Sequence, residues 1–539
     1  MRDMKDDLFL VERKLIDAFS SEKLDFDFRI YRGLPRLHHV ADPSKWKIKK
    51  HFSDLSSLKR LIAEKAVLRL YGQCEVEKDS KISLFTWVIG DGFGDYIAAV
   101  EAAQLLRGRF PHLDIQMIVL IPERLSSRLL SLPEGCLLLP YETDLPPDRI
   151  PHQTLVEMRI SDLILFLPTF YPHTSALIDL LKKMSDLLPM PKIELIGEYG
   201  FIESSWFHPQ SGNHSMGLHF LETGILVRKV CKASFAEVKN ERLLQWLFQT
   251  DRPTPNQIGQ YLSENRFYLA YLTSETGGAV YLHALLKSLE CDPKGIDLCV
   301  PDLGWFVQHA ETQNRLGAPV LEGDFSVARL EVWFEEKVHA TDLRPQGKTM
   351  RIFCPGSLSQ DDFRKLLFLS GEFVAVRGDQ SFSEAVSANK VFFYDGREHA
   401  RYFVKDLVAL AENRISSHRG ALAVFRAMGK TFLHHLPDSE GEWVDETHFQ
   451  EKGDWVQIAL EMGEALQDPG IIGGFKQFNQ MLIQEFSFNE SLCHWVQKAL
   501  HFKKYPEAQL LEQEQLILFS SHFQSFEKTF DALNLSLGL

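Results

Sequence analysis

The chain lacks the features that mark membrane, secreted and cysteine-rich metal-binding proteins. No apolar run approaches the ~20 residues that a membrane-spanning helix needs, and the charged N-terminus lacks the apolar core of a signal peptide. The seven cysteines are scattered without paired spacing, which argues against a disulfide framework or a zinc site. These absences predict a cytoplasmic protein with buried free thiols and no transmembrane segment.

Positive charge is also in short supply. The sequence has 59 lysines and arginines against 73 acidic residues, and the net charge of −14 disfavours sequence-independent binding to nucleic acid. The paired histidines at 38–39 and 434–435 lack the i, i+4 spacing of a helical metal site. Asp25 and Asp27 match a metal-binding Asp-x-Asp pattern, but they lie away from any strand-end turn. We therefore expect neither a metal site nor a nucleic-acid partner.

Apolar residues are plentiful, and their pattern divides the chain into four regions. With 539 residues, of which 45% are hydrophobic and 11% aromatic, the chain can form more than one packed domain. We predict a helical N-terminal extension (1–80), two Rossmann-like domains (81–250 and 251–405) and a helical C-terminal region (406–539).

Short apolar strands alternate with helical segments in both middle regions. The predicted strands are 84–89, 115–120, 136–139, 163–167 and 192–196 in the first series, and 267–272, 297–300, 349–354, 373–376 and 391–394 in the second. Such alternation indicates parallel, doubly wound sheets, in which ligands bind near the carboxyl ends of the strands. The sequence thus predicts an α/β fold with two Rossmann-like domains that face a cleft.

The most informative segment is the strand–turn–helix that follows residue 373. The strand at 373–376 runs into Arg377 and a polar turn, and a helix is predicted to open at Ser381. The unpaired N–H groups and positive end of such a helix attract an anion such as a diphosphate. Arg377 can add a forked donor, and Asp379 or Glu384 can accept hydrogen bonds from sugar or ribose hydroxyls. An ordinary turn capped by Ser381 is the alternative.

A related turn follows the first predicted strand. Residues 90–95 contain three glycines, which let the backbone approach a ligand closely, and two acids, Asp91 and Asp95. The acids would repel a phosphate, so they suit hydroxyl binding or proton abstraction. Asp95 can also be explained as a helix N-cap, which leaves Asp91 as the better candidate for chemistry.

Two further segments are weaker candidates. Residues 275–278, at the first turn of the second domain, could wrap donor phosphates, although the start of a helix explains them equally well. Residues 213–217 could line the side of the cleft that holds an acceptor.

Four segments together carry a resemblance to a known family. They are the motif Asp91-Gly-Phe-Gly-Asp95, the strand that ends at Tyr271, the run 353–360, and the sequence Arg377-Gly-Asp-Gln-Ser381. In these segments the chain resembles GT-B glycosyltransferases, specifically the bacterial protein-arginine rhamnosyltransferases that modify elongation factor P. The resemblance spans roughly residues 82–405, in islands.

The resemblance implies roles for individual residues. Asp91 would be the catalytic base, supported by Asp95. Tyr271 and Gln360 would contact the nucleotide base, and Asp379, Gln380 and Ser381 would meet the diphosphate and ribose. Ser357, Arg377 and Glu384 complete the set of residues that we predict to bind the donor. The chain departs from the family pattern at three places: Asp379-Gln380 replaces a Glu-Asp pair, Glu384 replaces an arginine, and Gly92 replaces an asparagine. These departures bear on the donor nucleotide and sugar more than on the fold.

The expected activity is that of a metal-independent, inverting glycosyltransferase. It would move a sugar from a nucleotide-diphosphate donor, held by the second domain, to an acceptor such as a protein side chain, held by the first, with no cofactor besides the donor. Two alternatives stay open. The chain could be a noncatalytic GT-B-like interaction protein or translocated bacterial effector, or a heptosyltransferase-like enzyme acting on glycolipid. The acidic composition disfavours the last, for which a basic membrane-facing patch is expected.

Overall fold

The computed structural model describes most of the chain between residues 76 and 504. The described residues are 76, 79–88, 93–126, 133–141, 150–168, 171–183, 191–197, 199, 213–218, 222–228, 230, 232–272, 274–301, 325–396, 400–432 and 454–504. Nearly all of the predicted N-terminal extension lies outside them. The chain forms two compact units: Met1–Leu226 together with Ser487–Leu539, and Val227–Phe486.

A parallel sheet of six strands organises the first unit. Its strands are β1 (Lys81–Trp87), β2 (Asp114–Pro122), β3 (Cys136–Tyr141), β4 (Leu163–Phe166), β5 (Lys192–Gly197) and β6 (Asn213–Ser215). They lie in the order β3-β2-β1-β4-β5-β6, and every neighbouring pair is parallel. This is the doubly wound order, in which the direction of winding reverses between β1 and β4.

Helices cover the sheet, so its central strands are apolar throughout. The helices that follow the first four strands are α1 (Gly94–Arg109), α2 (Glu123–Ser126), α3 (His152–Arg159) and α4 (Tyr171–Lys183). Every residue of β1 after Lys81 is buried, as is the whole of β4. α1 packs on β1 and β2 through buried alanines, Ala98, Ala99, Ala102 and Ala103, whose small side chains allow a close approach.

The second unit is built around a mostly parallel sheet. Its strands are β7 (Asn265–Leu269), β8 (Gly295–Cys299), β9 (Val327–Phe334), β10 (Lys337–Asp342), β11 (Lys348–Cys354), β12 (Phe373–Val376) and β13 (Val391–Tyr394). Five of them form the order β10-β9-β11-β8-β7, and β12 pairs with β13. The two groups meet where Ala270 bridges Ala375 in parallel, and the Tyr271 N–H donates to the Ala375 carbonyl at 2.9 Å.

The continuous order β11-β8-β7-β12-β13 is again that of a doubly wound sheet. The winding reverses between β7 and β12, and the hairpin of β9 and β10 extends the sheet beyond β11. The α/β class and the two Rossmann-like units predicted from the sequence are therefore confirmed. Two such units in one chain are the components of the GT-B fold.

The helices of the second unit up to β13 are α5 (Glu241–Phe248), α6 (Pro255–Glu264), α7 (Glu275–Ser288), α8 (Gln360–Leu369) and α9 (Gly378–Ser387). The sequence places the boundary between the two domains near residue 250, whereas the compact units divide after Leu226. The reason lies in Phe235, which is fully buried and packs its ring against Phe248, Tyr261 and Phe267 of the second unit. The segment 251–256, predicted as a linker or the start of a helix, leads into α6, which Thr254 caps.

Helices alone occupy the described residues from 400 to 504. They are α10 (Arg401–Arg414), α11 (Arg419–Phe432), α12 (Asp454–Leu466), α13 (Ile471–Glu485) and α14 (Phe488–Lys504). The first four belong to the second unit, and α14 belongs to the first. There the Phe488 N–H donates to the Ile225 carbonyl at 2.8 Å, and Trp495 packs against His214 beside β6. None of the described helices is long and apolar enough to cross a membrane.

Candidate functional site

Two helices of the second unit begin where the winding of the sheet reverses. α7 follows β7 and α9 follows β12, and these strands run side by side in the same direction, as the parallel bridge between Ala270 and Ala375 shows. Both helix N-termini therefore lie at the carboxyl edge of the sheet, which is where ligands bind in doubly wound folds. Each could in principle receive an anion on its unpaired N–H groups.

The N-terminus of α7 is closed by a carboxylate of the protein itself. Ser274 caps the helix, because its Oγ accepts a hydrogen bond from the Gly277 N–H at 2.9 Å. Asp395, which follows β13 and is 1% exposed, accepts hydrogen bonds from the Ser274 Oγ at 2.5 Å and from the Ser274 N–H at 3.1 Å. A negative charge already occupies this position, which favours interpreting residues 275–278 as an ordinary helix start.

The N-terminus of α9 has no such cap. Arg377 is the N-cap residue, and its side chain forms no capping hydrogen bond with the first turn. Gly378 has a φ of +70°, in the left-handed region that favours glycine, and a Cβ built there would meet no atom of the described residues within 4 Å. Within the part of the chain that the structure describes, the positive end of α9 therefore borders open space at the carboxyl edge of β12.

The hydroxyl of Ser381 holds the backbone of this turn through hydrogen bonds. The helix begins at Gly378, three residues before the predicted start, so Ser381 lies in its first turn and is not the cap. The residue is 3% exposed, and its Oγ accepts from the Arg377 N–H at 2.9 Å and donates to the Arg377 carbonyl. Its hydroxyl is thus engaged with the backbone, and direct contact between Ser381 and a diphosphate stays a prediction.

Glu384 lies inside a polar cluster. Glu384 is 5% exposed. Its Oε1 accepts hydrogen bonds at 2.8 Å from both Arg228 Nη1 and Arg364 Nε. The same oxygen lies 3.4 Å from Gln380 Nε2 and 3.5 Å from Gln360 Nε2. The carboxylate that was expected to meet a ligand hydroxyl instead faces four donors of its own protein.

The other predicted donor-binding residues lie at the same edge of the sheet. Tyr271 follows β7, is half-buried, and packs the edge of its ring on Phe363 of α8 with the ring centroids 5.9 Å apart. Ser357 is exposed in the loop between β11 and α8, and Gln360 is the first residue of α8. The half-buried Asp379 lies in the first turn of α9, where its charge favours the helix. The loops after β7, β11 and β12, together with the helices α8 and α9 that follow the last two, thus carry the whole predicted set.

The predicted catalytic pair belongs to the first unit. Asp91 lies outside the described residues, and its role stays a prediction. Asp95 is half-buried and is the second residue of α1, whose N-cap is Phe93, so the N-cap interpretation of Asp95 is wrong. α1 follows β1 at the point where the winding of this sheet reverses, which places Asp95 at the ligand-binding edge of the first unit.

The candidate acceptor segment at 213–217 forms β6 and the residues after it. His214 Nε2 lies 2.8 Å from Glu194 Oε2, and the His214 ring packs on Trp495 with centroids 4.2 Å apart. Burial raises the pKa of Glu194, but the hydrogen bond and charge of His214 and the charges of Lys192 and Lys498 outweigh it, so the pKa lies below its usual value. This pair ties β5, β6 and α14 together, and a contact with an acceptor stays a prediction.

Three residues of the site escaped the sequence analysis. Arg228, Arg364 and Asp395 have no local motif, because their partners lie 156, 20 and 121 residues away in the chain. Only the fold brings them to the edge of the sheet. Among the described residues, no group of three or more His, Cys, Asp or Glu side chains could hold a metal ion.

Comparisons with known proteins find likeness in structure alone. No protein-family model and no curated protein matches the sequence. The α,α-trehalose 6-phosphate synthase from Burkholderia multivorans is 10% identical, covering 80% of this chain and 98% of that one with a TM-score of 0.40. A UGT from Arabidopsis thaliana complexed with UDP is 11% identical, with coverages of 78% and 99% and a TM-score of 0.37. The ADP-heptose LPS heptosyltransferase II from E. coli is 15% identical, with coverages of 58% and 84% and a TM-score of 0.30. With these identities and TM-scores, the likenesses assign neither activity nor ligand to this chain.

Proposed function

We propose that this chain is a GT-B-type glycosyltransferase that transfers a sugar from a nucleoside-diphosphate donor to an acceptor. The observation that carries the proposal is the N-terminus of α9, which has no side-chain cap and, among the described residues, borders open space where the winding of the second sheet reverses. The neighbouring helix α7 supports it by contrast, since Asp395 already fills the corresponding position there. A diphosphate is the anion whose charge and size suit such a position.

The first chemical task proposed for this site is to stabilise the leaving diphosphate. When a sugar–diphosphate bond breaks, negative charge grows on the phosphate and positive charge on the anomeric carbon. The N–H groups at the start of α9, with the Arg377 guanidinium, would stabilise the phosphate charge, so the proposed reaction needs no metal and no cofactor. One donor of this kind is typically worth about 2.7 to 4 kcal/mol of barrier.

The acceptor is assigned to the first unit. Asp91, with Asp95 in support, would deprotonate or orient the acceptor for attack on the face of the sugar opposite to the leaving phosphate. Attack from that face inverts the configuration at the anomeric carbon. The most specific part of the proposal is that the acceptor is a protein side chain. This part rests only on the family resemblance in residues 82–405.

The test begins with the donor. Full-length protein is incubated with UDP-, GDP-, dTDP- and ADP-sugars, and thermal unfolding is measured; a donor at 100 times its dissociation constant should add about 2.7 kcal/mol of stability. The stabilising donor is then assayed for hydrolysis or transfer, which Asp91→Asn should abolish without loss of donor binding. NMR of the product should show an inverted anomeric centre.

Each outcome separates the alternatives. Donor binding without turnover in the wild-type protein would favour a noncatalytic GT-B-like interaction protein, and binding of none of the four donors would refute the proposal. A retained anomeric configuration would refute the inverting mechanism only. Transfer to a glycolipid in preference to a protein would favour the heptosyltransferase-like alternative.

A further inference from the structure

The polar cluster around Glu384 lies between the two helices that carry most of the predicted donor contacts. Glu384 is on α9, Gln360 and Arg364 are on α8, and Arg228 is among the first residues of the second unit. The side chains of Glu384 and Arg228 are 4% and 7% exposed, and that of Arg364 is 41% exposed. The cluster therefore reaches from the interior toward the surface.

Two guanidinium groups hold one carboxylate in place. Both donate to Glu384 Oε1 at 2.8 Å, and charge-assisted hydrogen bonds of this length are among the stronger polar contacts in proteins. The Arg228 N–H also donates to Ser387 Oγ at 3.0 Å, which fixes Arg228 to the last turn of α9. Glu384 is thus a rigidly held acceptor with little freedom to turn toward a ligand.

This acceptor sets the orientation of two amides. Gln380 Nε2 and Gln360 Nε2 lie 3.4 and 3.5 Å from Glu384 Oε1. Glu384 Oε1 accepts these hydrogen bonds, so each amide turns its NH₂ group toward Glu384 and its carbonyl oxygen away from it. Within the part of the chain that the structure describes, Gln380 Oε1 is buried without a hydrogen-bond partner, a state that a donor group from a ligand would relieve.

The orientation of the amides restricts what they can recognise. A carbonyl oxygen accepts hydrogen bonds, as phosphate oxygens do, so it cannot pair with a diphosphate. It can pair with a base N–H or a ribose O–H. The positive charges of the cluster come from Arg228 and Arg364, and α9 itself contributes the acceptor.

We propose that Glu384 is a positioning residue that turns the carbonyl oxygens of Gln360 and Gln380 toward the nucleoside of the donor. The inference rests on the proposed function, because it names the part of the nucleotide that this network reads. The nucleoside is recognised through its N–H or O–H groups, while the diphosphate is bound separately at the start of α9.

The experiment compares nucleotides with the bare diphosphate. Binding of UDP, GDP, ADP, dTDP and inorganic pyrophosphate to the full chain is measured by calorimetry for the wild type and for Glu384→Gln. The new glutamine side chain carries an NH₂ group, which is a donor, in place of one acceptor oxygen. The NH₂ groups of Gln360 and Gln380 then have no fixed acceptor, so the two amides lose their fixed orientation. Affinity for the nucleotide that the wild type binds should fall about tenfold, the usual effect of one lost hydrogen bond, and affinity for pyrophosphate should not change.

Asp361→Asn is the matched control. This carboxylate is on α8 beside Gln360, its side chain is 58% exposed, and it pairs with Lys365 at 2.7 Å. Its loss should leave both affinities unchanged. If Glu384→Gln does not fold, Gln360→Met removes one of the positioned amides directly and should produce the same selective loss.

Three results would overturn the positioning role. They are unchanged nucleotide affinity in the folded variants, an equal loss of nucleotide and pyrophosphate binding, and a loss seen with nucleotide-sugars but not with free nucleotides. Failure of the wild-type protein to bind any nucleotide would refute the proposed function itself, so the two failures can be told apart.

Discussion

Asp395 and Ser274 are joined by a hydrogen bond of 2.5 Å at the start of α7, although 121 residues separate them in the chain. The contact links the end of β13 to the loop after β7, and it supplies the negative charge that the positive end of α7 attracts. Two neighbouring helices of one sheet therefore differ in a simple way: one N-terminus is neutralised by the protein, and the other borders open space.

Replacing the buried carboxylate should destabilise the second unit. Asp395→Ala leaves the Ser274 N–H and hydroxyl without this acceptor, which we expect to lower the free energy of unfolding by about 2 kcal/mol. Denaturant unfolding followed by tryptophan fluorescence measures the change. Asp342→Ala is the control, because its carboxylate is 77% exposed and its ion pair with Arg329 is worth little. Equal effects of the two substitutions would contradict the role given to Asp395.

Two adjacent glycines of α7 offer a sharper comparison. A Cβ at Gly277 would lie 2.2 Å from Asp395 Oδ1, whereas a Cβ at Gly278 would meet nothing within 4 Å. Gly277→Ala should therefore cost about 2 kcal/mol through overpacking. Gly278→Ala should stabilise the helix by up to about 1 kcal/mol, since alanine is the better helix former. Opposite shifts in melting temperature are expected, and a rise in both variants would contradict the clash at Gly277, because it would show that Asp395 moves away at little cost.

The guanidinium of Arg377 should matter for binding and not for folding. It is half-buried beside the open N-terminus of α9, and its side chain does not cap the helix. Arg377→Ala should weaken binding of the preferred nucleoside diphosphate tenfold or more, because hydrogen bonds to charged groups contribute about 1.5 to 3 kcal/mol. Calorimetry measures the affinity, and a melting temperature taken in parallel should match that of the wild type. A marked fall in melting temperature would instead make Arg377 a structural residue.

Because of the buried His283, we expect the folded protein to lose stability in mild acid. The residue is 4% exposed on α7, its Nδ1 is buried without a partner in the described part of the chain, and its ring packs against Phe325 and Trp455. Burial lowers the pKa of His283 from 6.5 to about 4. The unfolded chain therefore binds the proton more readily, and stability that is present above pH 6.5 is lost as the pH falls toward 4.

The size of this effect follows from the two pKa values. Between pH 7.5 and pH 5, His283 should remove about 2 kcal/mol of folding free energy. Thermal unfolding at the two pH values measures it, and His283→Phe should flatten the dependence. Gly278→Ala is the control, since it changes the same helix without a titratable side chain and should leave the pH dependence in place. A pH profile unchanged by His283→Phe would contradict the assignment.

The sequence predicts the apolar strands of both sheets better than the short or exposed ones. The strands expected at 373–376 and 391–394 coincide with β12 and β13, because short, wholly apolar runs bounded by polar turns have few other interpretations. β6, β9 and β10 were missed. β6 has three residues, and every residue of β10 is exposed, so neither presents the apolar pattern by which a strand is recognised.

The candidate site divides in the same way. The loops that carry Tyr271, Gln360 and Arg377 could be found because each follows a predicted strand, and ligands bind at that edge. The partners of Glu384 could not be found, since Arg228 lies 156 residues before it and nothing local connects the two. Sequence therefore identifies the loops at the carboxyl edge of the sheet, while the fold decides which side chains near them already have partners within the protein.

The position of α14 has a consequence for how the chain acquires its structure during synthesis. Ser491 Oγ donates to the Thr223 carbonyl at 3.2 Å across 268 residues, and the ring of Trp495 covers His214 on the edge strand β6. The ribosome must therefore synthesise the whole second unit before α14 can pack against the edge strand β6 of the first unit. A truncation after Phe486 would remove α14 from the first unit, which is synthesised first, and would leave the second unit complete.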